Sequence, residues 1–208
     1  MSEEKLRIKI CGLTCMEDIR AVNEAKPDFA GFVVEFPKSF RSVSAEQLRS
    51  LTKELNPEIF PVGVFVNAPT ELVEKLLEEG VIWAAQLHGQ EDEAYITRLK
   101  KKTNCPVIKA FSVKCREDIT SAMQSPADYL LFDQGGGGTG KVFDWSLIGK
   151  ISRPFFLAGG LGEENLEQAA RKLHPWAVDL SSSLETERKK NPEKIRRAVE
   201  IVREINRE

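Results

Sequence analysis

Short apolar runs recur along the chain, and a longer stretch with apolar residues at helical spacing follows nearly every one. Runs of this length suit buried strands and are too short for helices. They predict strands over 6–10, 29–34, 60–66, 82–87, 106–111, 128–132, 155–158 and 176–180. The first run, Leu6-Arg7-Ile8-Lys9-Ile10, alternates, whereas most of the others are nearly continuous. Between them the spacing predicts helices over 16–26, with Ile19, Val22 and Ala25 on one face and Thr14 or Cys15 at the cap, and over 44–55, with Ser44 capping and Leu48, Leu51 and Leu55 inward. A third helix starts with Pro69 at its first position and carries Leu72, Val73, Leu76 and Leu77 as its buried stripe. Further helices are expected over 91–103, 116–124, 143–151, 163–173 and 192–205, the last with Pro192 in its first turn and Ile195, Val199, Val202 and Ile205 inward.

Strands buried on both faces and alternating with helices imply a parallel sheet. Eight such units in one domain, residues 1–208, predict an α/β fold of the (β/α)8 TIM-barrel type, near the lower end of that fold's length range. A doubly wound open sheet is the alternative. No linker, repeat or low-complexity tract divides the chain.

The charge balance narrows the partners. Thirty Lys and Arg stand against 32 Asp and Glu, a net charge of −2 with no basic stripe, so a nucleic-acid partner is not expected. No apolar run approaches the ~18 residues of a membrane span, and no apolar segment follows Met1-Ser2-Glu3-Glu4-Lys5 to make a signal peptide. Cys11, Cys15, Cys105 and Cys115 lack paired metal-site spacing and read as reduced thiols, which points to a cytoplasmic protein without a metal site.

In a barrel the chemistry gathers at the C-terminal strand ends. Those ends carry Cys11, Arg41 just past strand 2, His88, Asp133, Gly159-Gly160 and Ser181-Ser182-Ser183. Cys11 reads either as an inert buried thiol or as a thiolate base or nucleophile. Arg41 is either a surface charge or a guanidinium fork for a carboxylate. His88 is either structural or a polar contact to substrate. Asp133 precedes the glycine run 135–138, Thr139 and Gly140, either a flexible linker or a backbone cradle in which N–H groups converge on an anion. Barrels often bind phosphate with the loops after strands 7 and 8. Those loops hold Gly159, Gly160, Ser181, Ser182 and Ser183, and the loop with Gly138, Thr139 and Gly140 adjoins them. An acid beside an anion site suggests acid–base work on a phosphorylated small molecule.

Several motifs, in order from residue 8 to about 185, resemble those of the phosphoribosylanthranilate isomerase family. They are Ile8-Lys9-Ile10-Cys11-Gly12-Leu13-Thr14, Ser39-Phe40-Arg41-Ser42-Val43-Ser44, Val62-Gly63-Val64-Phe65, Gln86-Leu87-His88-Gly89, Gly137-Gly138-Thr139-Gly140 with Phe143-Asp144-Trp145, Leu157-Ala158-Gly159-Gly160-Leu161, and Val178-Asp179-Leu180-Ser181-Ser182. The resemblance implies a tryptophan-pathway isomerase that performs an Amadori rearrangement of N-(5'-phosphoribosyl)anthranilate, with no metal or organic cofactor and with monomers or homodimers. It implies Cys11 as general base, Asp133 as general acid and Arg41 as the group that holds the anthranilate carboxylate. Phe40 replaces a usual proline, Ser183 replaces a usual glycine, and the segment 185–191 lacks the usual Pro-Gly and Lys-Asp pairs; these differences touch phosphate-loop geometry rather than reaction type. At Ser183 two arrangements are open. An ordinary φ would let the hydroxyl help bind phosphate; a left-handed φ would strain the loop.

Three other functions compete. A histidine-pathway aminoaldose isomerase would carry aspartate where Cys11 stands. Indole-glycerol-phosphate synthase would need a longer N-terminal extension. A non-catalytic phosphosugar-binding barrel would not need both Cys11 and Asp133.

Overall fold

The computed structural model of the protein describes residues 5–133, 145–149 and 151–207. Eight parallel strands form the frame: β1 (Arg7–Cys11), β2 (Phe29–Val34), β3 (Phe60–Phe65), β4 (Ala84–Leu87), β5 (Val107–Ser112), β6 (Tyr129–Asp133), β7 (Phe155–Leu157) and β8 (Ala177–Leu180). Each pairs with the next in the chain, and β1 pairs with both β2 and β8, so the sheet closes into a barrel. Among the described residues seven α-helices, α1 (Met16–Ala25), α2 (Ala45–Lys53), α3 (Thr70–Glu78), α4 (Glu93–Thr103), α5 (Arg116–Met123), α6 (Leu166–Leu173) and α7 (Pro192–Ile205), connect or close the units.

The two sides of each strand carry different cores, because successive side chains point to opposite faces. Ile8, Ile10, Phe32, Val34, Phe65, Leu87, Leu130 and Phe132 belong to the outer core, with Ile19, Val22, Leu48, Leu76, Leu99 and Val199 of the helices. Phe29, Val62, Ala84, Ile108, Leu131, Phe156 and Ala177 form a second core inside the barrel. Each large side chain buried in this way contributes about 1.5–3 kcal/mol. The alternation read in the first strand is therefore a buried one: Ile8 and Ile10 pack with the helices, and Lys9 between them is fully buried.

Four local expectations need correction. Pro69 is the N-cap of α3, one residue before its first turn. The fourth strand starts at Ala84, because Trp83 turns into the aromatic cluster at the barrel's lower end, 5.4 Å from Phe29 and 5.3 Å from Phe60 between ring centroids. The helix expected over 143–151 is, among the described residues, a single 3-10 turn, Trp145–Leu147. The helix expected from 163 begins at Leu166, because the Asn165 side chain bonds Gly162 N and Gly160 O instead of continuing a helical turn. Past β8 the chain makes a 3-10 turn, Ser182–Leu184, and then a two-residue hairpin that pairs Glu185–Thr186 with Lys189–Lys190.

Candidate active site

The strands end on a single cavity of about 1040 Å³ at the C-terminal mouth. Cys11 of β1, Arg41 after β2, Gln86 and His88 at the end of β4, Asp133 of β6, Gly159 and Gly160 after β7, and Asp179 and Ser181 of β8 and its exit all line it. Residues scattered over the sequence thus meet in one space, because every parallel strand delivers its last residues to the same end of the barrel. Gly138, Thr139 and Gly140 lie outside the described residues.

Cys11 is the final residue of β1 and stands opposite Gly31 of β2. Burial pushes its thiol above the ordinary range, against the pull of the Lys9 ammonium. Asp133 closes β6, registered with Ser112 of β5. One of its carboxylate oxygens lies 3.5 Å from His88 Nε2. His88 Nδ1 stands 3.1 Å from the Gln86 amide nitrogen. If that amide donates, Nδ1 accepts, and the tautomer this assigns places the ring proton on Nε2, facing Asp133. His88 is therefore an orienting partner of Asp133 as well as a lining residue.

Arg41 reaches the cavity by lying across Gly12, where a Cβ would stand 2.5 Å from Arg41 Cδ. Gly12 also has a φ of +83°, so a side chain there would be strained as well as obstructed. The Arg41 fork is not open to solvent on both edges. Its Nε and Nη2 donate to the two oxygens of Glu185 at 2.7 and 2.8 Å. Lys190 donates to the same carboxylate at 2.8 Å and to Ser181 O at 2.9 Å. Burial opposes the charge on Glu185, but Arg41 and Lys190 hold its carboxyl below the usual range. Phe40, 53% exposed, lies under Arg41 with the guanidinium carbon 4.2 Å from its ring centroid, and Arg188 of the hairpin approaches the same ring at 5.3 Å. The hairpin turns through Glu187 and Arg188 at φ +52° and +63°, the backbone that a tight two-residue connection demands.

The phosphate-type loops divide into two groups. Gly159 and Gly160 both have positive φ, +83° and +69°, at the exit of β7. Ser181 donates its hydroxyl to Cys11 O at 3.0 Å, tying β8 to β1, and with Ser182 lines the cavity. Ser183 takes no positive φ, so the strained arrangement is not the one adopted. Its hydroxyl is buried and has no hydrogen-bond partner among the described residues, and Ser183 does not line the cavity.

Sequence reasoning missed Lys9, Gln86, Asp179, Glu185 and Lys190. Lys9 donates to Asp179 at 2.7 Å in the barrel interior. The available signal was a charged residue between apolar neighbours, in Ile8-Lys9-Ile10 and Val178-Asp179-Leu180. Among the described residues no three His, Cys, Asp or Glu side chains are grouped to hold a metal ion, and no helix is long and apolar enough to cross a membrane.

Comparison with known proteins gives a consistent match. The family model for N-(5'phosphoribosyl)anthranilate (PRA) isomerase matches residues 8–201. A relative from Endomicrobium trichonymphae, N-(5'-phosphoribosyl)anthranilate isomerase, is 46% identical over 206 residues, which cover 96% of this chain and 99% of the relative. The crystal structure of phosphoribosyl anthranilate isomerase from Thermotoga maritima superimposes with a TM-score of 0.86 at 36% identity, covering 96% of this chain and 99% of that one. A phosphoribosyl anthranilate isomerase solved in complex with reduced 1-(o-carboxyphenylamino)-1-deoxyribulose 5-phosphate superimposes with a TM-score of 0.83 at 34% identity, with coverage of 96% and 99%.

Proposed function

Since the chain belongs to the N-(5'-phosphoribosyl)anthranilate isomerase family, we propose that its cavity rearranges N-(5'-phosphoribosyl)anthranilate to 1-(o-carboxyphenylamino)-1-deoxyribulose 5-phosphate with Asp133 as general acid and Cys11 as general base. The observation that carries this reading is the convergence of an acid from β6 and a thiol from β1 on one cavity with a guanidinium at its lip.

Two proton transfers of the reaction fall to these side chains. Asp133, in its protonated form, gives its proton to the ribose ring oxygen as the C1'–O bond breaks. The anthranilate nitrogen supplies the electron pair that makes the Schiff base. Cys11, as thiolate, then takes the proton from C2', and the C–H electron pair moves into the enolamine. The C2' hydroxyl loses its proton as C1' gains one, which leaves the ketone. Each positioned transfer contributes typically ~10²–10⁴-fold in rate. The His88 contact holds Asp133 toward the cavity.

Binding groups fall into place around this pair. Arg41 keeps Nη1 outside its pair with Glu185, so a substrate carboxylate can approach that edge while Glu185 fixes the guanidinium plane. The two positive-φ glycines after β7 and the Ser181-Ser182 turn after β8 supply backbone N–H groups, and Ser182 a hydroxyl, for the phosphate. Gly138, Thr139 and Gly140 complete that cradle in this reading. The cavity volume suits a ligand of this size, as small-molecule sites run to about 1,000 Å³. The direct test supplies enzymatically generated phosphoribosylanthranilate and follows the loss of anthranilate-type fluorescence. Turnover by the purified chain supports the reading, and a folded chain that leaves the signal unchanged overturns it.

A further inference from the structure

We propose that Lys9 is the positioning residue for the Cys11 base: held in the barrel interior by Asp179, its ammonium lies beside Sγ and stabilises the thiolate that accepts the C2' proton. The proposal rests on Cys11 being the base, and its test reads the thiol separately from turnover.

Three observations converge. Lys9 is fully buried, in the middle of a strand, and its ammonium is 2.7 Å from Asp179 Oδ2. A lysine in such a place needs a carboxylate to keep its charge, because burial alone would neutralise it. Burial does work against the ammonium, but Asp179 and the Cys11 thiol hold its pKa above the usual lysine range. Second, the ammonium and the thiol share one small space. A Cβ on Gly31 would stand 2.8 Å from Cys11 Sγ, 2.9 Å from Lys9 Cε and 3.0 Å from Lys9 Nζ. Glycine at this register position, opposite Cys11, is what leaves room for both groups to meet. Third, the ion pair is half-satisfied: Asp179 Oδ1 is buried with no hydrogen-bond partner among the described residues, and Asp179 lines the cavity. A pair built only for stability would be expected to satisfy both oxygens, since an unpaired buried acceptor costs about 1–3 kcal/mol.

The charged groups that act on Cys11 come from several elements. Lys9 on its own strand and Lys190 of the hairpin favour the thiolate, and Asp179 of β8 opposes it. Asp179 is in turn influenced by His88, just past β4, and Asp133 of β6. β2 contributes no charge at the contact, only the space at Gly31. The net effect leaves the thiol protonated at rest, with Lys9 as the nearest group that makes its ionisation accessible. Sγ first releases its proton to solvent through the cavity it lines, the resulting thiolate takes the C2' proton, and Lys9 remains an ammonium throughout, so the negative charge on sulfur has a counter-charge beside it.

The test measures the rate of Cys11 carbamidomethylation by iodoacetamide against pH, with the modified residue located by peptide mass spectrometry. Such mapping separates Cys11 from Cys15, Cys105 and Cys115. Lys9→Met should raise the midpoint of the Cys11 profile by at least one pH unit and move the acid limb of kcat/KM the same way. That is a loss of ~10-fold in kcat/KM at a fixed pH on that limb. Asp179→Asn, close in shape, removes the negative charge that opposes the thiolate and leaves the Cys11 thiolate as counter-charge to the Lys9 ammonium, so it should lower the midpoint. If Lys9→Met does not fold, the Asp179→Asn profile alone decides. A midpoint unchanged in a folded Lys9→Met chain, or unchanged or raised in Asp179→Asn, overturns the proposal. If instead Cys11→Ala keeps near-native kcat while the midpoints move as stated, the coupling stands and the base assignment fails.

Discussion

The two ends of the barrel are built from opposite materials. Below, Phe29, Phe60, Trp83, Tyr129, Phe156 and Trp176 form a connected aromatic cluster, and Arg7 covers Trp176 at 4.3 Å. Above, the same strands carry Lys9, Cys11, Gln86, Asp133 and Asp179, five polar or titratable side chains of low exposure. Gln86 Oε1 and Asp179 Oδ1 there have no hydrogen-bond partner among the described residues. The lower end holds the barrel closed by apolar burial. The upper end carries charges and unpaired acceptors whose desolvation the lower end must offset. Substitutions should therefore separate stability from catalysis by height in the barrel.

The sharpest division is between Cys11 and Phe156. Cys11→Ala should lower kcat at least ~10²-fold with little change in melting temperature or substrate binding, because it removes a group used in the transition state. Steady-state kinetics beside a thermal melt would read both. Phe156→Ala, in the interior core, should do the reverse. It should cost about 3–5 kcal/mol of stability, which denaturant unfolding reads, with kcat per folded molecule close to native. A Phe156→Ala chain that keeps its stability would remove the lower end from its role as the support.

Arg41 and Glu185 sharpen the contrast at the rim itself. Arg41→Ala should raise KM for phosphoribosylanthranilate ~10–100-fold with kcat nearly preserved, the range set by a charged hydrogen bond of about 1.5–3 kcal/mol. An unchanged KM would leave Arg41 as only the anchor of the hairpin. The smallest effect concerns acid stability. Glu185 is held below its usual pKa, so it contributes stability that is present above the unfolded carboxylate value, ~4.3, and lost as pH falls through the folded value. Urea melts of the native chain between pH ~6 and ~3 should therefore decline more steeply than those of Glu185→Gln. Parallel pH profiles would show that the Arg41–Glu185–Lys190 cluster has no linked titration.

The sequence made the frame legible because each apolar run is bounded by turns and the helical spacing is regular: Ser44 caps its helix as expected, accepting from Gln47 N, and the last helix spans the expected 192–205. It made the rim legible too, since a closed parallel barrel sends every strand end to one face. What stayed hidden were pairings across long separations. Nothing local in Glu185 marks it as the partner of Arg41, because that pairing depends on how the hairpin folds back over the mouth. Lys9 in an alternating strand reads as an outward-facing residue of a half-buried sheet. Closure of the barrel gives both faces a core and turns that position inward.

The most direct measurement of the central claim is kcat and melting temperature for Asp133→Asn, which keeps the side chain's shape and removes its transferable proton. Asp133→Asn should lower kcat at least ~10²-fold at an unchanged melting temperature. Near-native turnover by the folded Asp133→Asn chain would contradict it and move the acid role elsewhere on the rim, with His88 the next candidate.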